Sequence, residues 1–206
     1  MATNVFISFR FSDGNNYKKE LDDLFDDTVA INNYSENEDR SNQTEKTIKE
    51  YLYGKLKETS VTICILTPNA INYDRNGNNQ IDDWLYDELR YSLEDRENNR
   101  TNGVVALYTK EAESYLMGIF NCCRCSKNCP LTAIKNFENL VRKNMMNIKD
   151  SYKLHQCTNV YDELKDSYIS LVSFDEFIKN YNYKKYIDNA VKKRENSNQF
   201  NLVKEM

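Results

Sequence analysis

The most constraining feature of this chain is the run Val61-Thr62-Ile63-Cys64-Ile65-Leu66-Thr67, seven uncharged and mostly β-branched residues closed by Pro68. A strand that alternates apolar with polar residues can leave one face in water. A strand apolar at successive positions must be covered on both faces, which places it inside a sheet with helices above and below. Asn4 to Phe9 and Gly103 to Tyr108 are runs of the same kind. We read the first as the central strand and the second as another interior strand.

Between these runs the apolar spacing changes from strand-like to helical. Arg10 to Gly14 is expected to turn the chain, after which Tyr17, Leu21, Leu24 and Phe25 recur at the spacing of an amphipathic helix. Val29-Ala30-Ile31 reads as a brief strand and 32–43 as a polar loop. Asn42 with Glu45 forms a capping pattern for a helix whose inner face is Ile48, Tyr51, Leu52 and Leu56. A further helix is expected from about Asp82 to Glu97. Strands alternating with helices of ten or more residues imply βαβ crossovers and a parallel sheet. Residues 110–160 interrupt the rhythm and read as an insertion with a helical patch from Ile134 to Met146. Ser167 to Val172 is then the last strand, Phe174 to Arg194 one closing helix, and 196–206 a frayed tail. The expected organisation is a single domain over residues 1–195.

Charge and composition exclude several functions. The net charge is −4, and the longest basic run is Lys192-Lys193-Arg194, so no nucleic-acid partner is expected. No apolar stretch approaches the roughly 20 residues of a membrane span, and Met1 to Asn4 has no basic leader, so a cytoplasmic location is expected. The five glycines are too scattered for GxGxxG or a Walker loop. There is no GxSxG, and the single histidine lies in the insertion, which disfavours a hydrolase triad. Asp74 to Asp82 imitates the start of a calcium loop, but Asn79 and Leu85 stand where glycine and a bidentate glutamate are needed. Cys122, Cys123, Cys125 and Cys129, with His155 and Cys157, lack two clean Cys-x-x-Cys pairs. Free thiols are expected there and no metal is assigned, with a structural zinc site as the alternative.

The chemistry-bearing stretch is Trp84-Leu85-Tyr86-Asp87-Glu88-Leu89, which sets an acid one turn after the only tryptophan. In open α/β sheets the loops beyond the carboxyl ends of the strands form the ligand crevice, so an acid early in the helix after such a loop is well placed. Spacing alone also fits a solvated acid beside a core indole. After the first strand come Ser8, Phe9, Arg10 and Phe11, where an aromatic ring can stack on a base and a guanidinium can meet a pyrophosphate, or where Phe9 simply packs and Arg10 is exposed.

Val5-Phe6-Ile7-Ser8-Phe9, Leu56 to Thr62 leading into a strand, Trp84…Glu88-Leu89, and Ser167-Tyr168-Ile169-Ser170 with its helix together resemble bacterial TIR-like domains, in particular the stand-alone TIR-like proteins of Thoeris-type anti-phage systems. The resemblance implies a flavodoxin-like sheet of five parallel strands and cleavage of NAD at the nicotinamide–ribose bond. The family's motif Ser-x-Trp-Cys-x-x-Glu-Leu makes Glu88 the catalytic acid, though Asp82 and Leu85 replace its serine and cysteine. Ser8, Phe9, Arg10, Phe11 and Trp84 are the implied NAD-binding residues. NAD enters as substrate, and no further cofactor is expected. The implied product is ADP-ribose or a cyclic relative made as a signal for a downstream effector protein, and the implied partners include other TIR domains. The alternative is a non-enzymatic TIR-like adaptor that works by association.

Overall fold

A computed structural model describes residues 2–35, 44–95, 100–121, 130–154, 162 and 164–206. The elements run β1 (Thr3–Ser8), α1 (Phe11–Asp26), β2 (Ile31–Asn33), α2 (Glu45–Lys57), β3 (Val61–Leu66), α3 (Trp84–Leu93) and β4 (Gly103–Tyr108). They continue with α4 (Glu113–Leu116), β5 (Met117–Asn121), β6 (Pro130–Ile134), α5 (Leu140–Lys143), β7 (Ile169–Ser173), α6 (Phe174–Ile178) and α7 (Tyr183–Glu195). Five strands form one sheet in the order β2-β1-β3-β4-β7, and every neighbouring pair is parallel. This is the expected flavodoxin-like architecture of five parallel strands.

The two-sided burial expected of β3 is complete, with all six residues buried. Its odd positions, Val61, Ile63 and Ile65, pack with Leu21 and Phe25 of α1 and with Tyr183, Ile187 and Ala190 of α7. On the other face Cys64 and Leu66 pack with Leu85, Leu89 and Leu93 of α3 and Leu140 and Val141 of α5. Each fully buried aliphatic side chain contributes about 1.5–3 kcal/mol, so these central strands anchor both helical layers. At the amino end α7 lies so close that a Cβ at Gly103 would sit 2.2 Å from the Ala190 carbonyl oxygen.

Several local expectations shift. Helix α1 begins at Phe11 with no intervening turn, and the second strand is Ile31–Asn33, two residues later than expected, because Val29 points into solvent while Ile31 is buried. The cap of α2 is Thr44, whose hydroxyl accepts from the Thr47 N–H at 3.3 Å, and Asn42 lies outside the described residues. The segment expected as an insertion carries the antiparallel β5–β6 hairpin and joins the core through α5, where Leu140 and Val141 are fully buried. Its helix spans four residues rather than the expected Ile134 to Met146. The cysteines from 122 to 129, with His155 and Cys157, lie outside the described residues.

The closing helix is broken, since Asn180 and Tyr181 take φ of 51° and 61°, a conformation that ends an α-helix. The tail does not fray. Phe200 is buried with its ring centroid 5.3 Å from that of Tyr168, and Asn144 accepts from the Val203 N–H at 2.9 Å.

Candidate active site

The site lies where β1 and β3 end. Ser8 closes β1 and pairs in register with Cys64 of β3, so both side chains share the face that α3 covers. Helix α3 is set by Asp83, whose Oδ1 accepts from the Leu85 N–H at 2.9 Å and satisfies a first-turn donor. Leu85 and Leu89 hold the helix down on the sheet, and Glu88 between them is turned inward with 8% of its surface exposed. There the Ser8 hydroxyl donates to Glu88 Oε2 at 2.5 Å.

No ammonium or guanidinium among the described residues pairs with Glu88. Burial therefore pushes its carboxyl up to about 8, opposed by the Ser8 hydrogen bond and reinforced by repulsion from Asp83 and Asp87. At neutral pH the group mostly holds its proton, and a cation brought beside it would draw that proton off. Burial also raises the Cys64 thiol, so Cys64 is not a ready nucleophile.

The other expected residues divide. Phe9 and Phe11 lie with ring centroids 4.8 Å apart, Phe9 half-buried and Phe11 largely exposed. Gly14 leaves room for Phe9, since a Cβ there would come within 3.1 Å of its ring. Trp84 stays out of the core at 39% exposure, with the Lys49 ammonium 5.5 Å above its ring. Arg10 is half-buried rather than exposed. Its two terminal nitrogens engage Asp74 and Asp83, and its Nε has no hydrogen-bond partner.

Two residues of this arrangement escape sequence reasoning, Asp74 and Asp83. An aspartate directly before the first apolar-periodic residue is a cap signal, and starting the helix at Asp82 concealed it. Asp74 opens a tight loop in which Asn76 Oδ1 accepts from the Asn78 and Gln80 N–H groups, so the stretch resembling a calcium loop is closed by its own hydrogen bonds.

A family model described as Thoeris protein ThsB, TIR-like domain, matches residues 6–114. The chain belongs to this family. The matched segment contains Ser8, Arg10, Asp83, Trp84 and Glu88, and the β5–β6 hairpin, β7 and α7 of this TIR-like domain lie beyond it. No curated protein matches the chain. Among the described residues, no helix is long and apolar enough to cross a membrane.

Proposed function

We propose that this TIR-like domain consumes NAD by breaking the bond between nicotinamide and ribose, with Glu88 as the catalytic carboxylate. The observation that carries this reading is a buried glutamate without a countercharge among the described residues, held by Ser8 at the carboxyl end of the sheet. When the glycosidic bond breaks, its electron pair goes to the pyridinium nitrogen and nicotinamide leaves neutral, so no acid is needed to protonate it. Positive charge then develops on the ribose as an oxocarbenium ion. A carboxylate in a low-dielectric site stabilises that charge far more than one in water would. The cationic substrate supplies the missing countercharge, which favours loss of the Glu88 proton as it binds. Attack by water gives ADP-ribose and a proton, while attack by another group of the same molecule gives a cyclic product.

Around this carboxylate, the exposed rings of Phe11 and Trp84 offer flat surfaces for a base, and Phe9 backs Phe11. Arg10 can turn toward the pyrophosphate by releasing Asp74, the exposed one of its two partners. Self-association of TIR domains and a downstream effector reached through the nucleotide product belong to the same reading, in an anti-phage role.

Incubating the purified protein with NAD, with and without lysate from phage-infected cells, and following nicotinamide release by chromatography tests it. Wild type should release nicotinamide, Glu88→Gln should not, and mass spectrometry of the remaining nucleotide identifies the product. Equal behaviour of the two proteins under both conditions would replace the enzyme with a TIR-like adaptor.

A further inference from the structure

Two residues beyond Ser8, Arg10 reaches from the end of β1 to Asp83, five residues before Glu88. The Ser8–Glu88 hydrogen bond and the Arg10–Asp83 ion pair therefore join the same two elements at neighbouring points. The Asp83 side chain is only 2% exposed and is fully used. Its Oδ1 accepts from the Leu85 N–H at 2.9 Å, and its Oδ2 accepts from the Asp74 N–H at 2.8 Å as well as from Arg10.

Among the described residues, few other polar groups face Glu88. Ser8 comes from β1, the neutral Cys64 thiol from β3, and Asp83 and Asp87 from α3 itself. Lys49 of α2 is engaged by Asp87 at 2.9 Å, and Arg90 stands 4.0 Å from the same carboxylate.

We infer that the Arg10–Asp83 pair is a positioning device for Glu88, fixing α3 against β1 so that Glu88 meets Ser8 and offsetting part of the Asp83 charge that faces it. This rests on the proposed role of Glu88. Asp83 and Arg10 act through that residue. Their two halves have opposite electrostatic consequences, which a purely mechanical strut would not have.

Asp83→Asn keeps a capping oxygen but removes the negative charge and leaves Arg10 unmatched, so Glu88 should ionise at lower pH. Arg10→Gln leaves Asp83 uncompensated, so Glu88 should ionise at higher pH. Carbon-13 NMR of the glutamate side-chain carboxyls in the full chain, with Glu88→Gln identifying the resonance, reads the midpoint without turnover. The two variants should move it in opposite directions by about half to one pH unit, and the double variant should lie between them. Arg10→Lys should keep the midpoint near wild type and rescues the Arg10 arm alone should Asp83→Asn fail to fold.

Unmoved midpoints with lowered thermal stability, or shifts of the same sign, would overturn the inference. Opposite shifts in a protein that releases no nicotinamide would keep the positioning device and remove the NAD reading. Turnover with unmoved midpoints would do the reverse.

Discussion

Two ionisable side chains are buried at opposite ends of one sheet. Glu88 sits where β1 and β3 finish, and Lys193 of α7 sits where β7 begins, 5% exposed, with its ammonium nitrogen donating to the Ser170 hydroxyl at 2.7 Å. Burial drives both toward neutrality, Glu88 up to about 8 and Lys193 down to about 7, the latter opposed by the charge of Asp162. The perturbation is thus the ordinary cost of removing a charge from water and does not by itself mark a reactive group. Position separates the two. Glu88 lies at the carboxyl end of the sheet, the end at which open α/β sheets take their ligands, whereas Lys193 lies at the amino end on a helix packed tightly on β4.

The sharpest way to break this comparison is activity. Glu88→Gln should lower nicotinamide release by roughly 10²- to 10³-fold, the scale of losing a preorganised charge at a reacting centre. Lys193→Met should leave it within about twofold. Equal losses would mean that burial, not placement, governs both.

Stability against pH should show two limbs of opposite sign. Folded Glu88 keeps its proton up to about 8, while the unfolded chain releases it near 4.5, so between those values the folded state binds more protons and stability falls as pH rises. Folded Lys193 loses its proton near 7 and the unfolded chain near 10.5, so across that window stability rises with pH. Each limb has a slope of at most about 1.4 kcal/mol per pH unit, and the two meet in a trough near pH 7–8. Denaturant titrations at several pH values should lose the lower limb in Glu88→Gln and the upper limb in Lys193→Met. In the same terms, kcat/KM for NAD should climb with pH toward about 8 as the free enzyme ionises.

The tight amino end should also show in packing. Gly103→Ala forces a methyl group against the Ala190 carbonyl and should cost about 1–3 kcal/mol in chemical unfolding. Gly54→Ala, at an exposed position of α2 with nothing within 4 Å of the added carbon, should gain up to about 1 kcal/mol. The smallest effect belongs to the partly exposed contacts around Trp84. Lys49→Met removes an ammonium–ring contact and the pair with Asp87, and its thermal unfolding should indicate a cost below about 1 kcal/mol.

The family and its sheet were legible in the sequence because the signals are local. Gly103 to Tyr108 is a strand at the expected bounds and β3 ends at Leu66, one residue before the expected Thr67, since a segment apolar on both faces carries its own instruction to be covered. Glu88, Ser8 and Trp84 were each legible as members of a motif. Their relations were not. That Ser8 donates to a glutamate 80 residues away, and that Arg10 is taken by Asp74 and Asp83, depends on which elements meet across the sheet. The expected helix from Phe174 to Arg194 breaks at Asn180, and the expected loose tail is held by Phe200 against Tyr168.

By itself, then, the sequence determined which segments turn inward and therefore the layered parallel sheet, because periodicity records burial residue by residue. The tertiary structure alone decided which inward-facing charge finds a countercharge, because that depends on contacts between residues distant in the chain. Those contacts pair Arg10 with two aspartates and leave Glu88 buried with a hydroxyl for company.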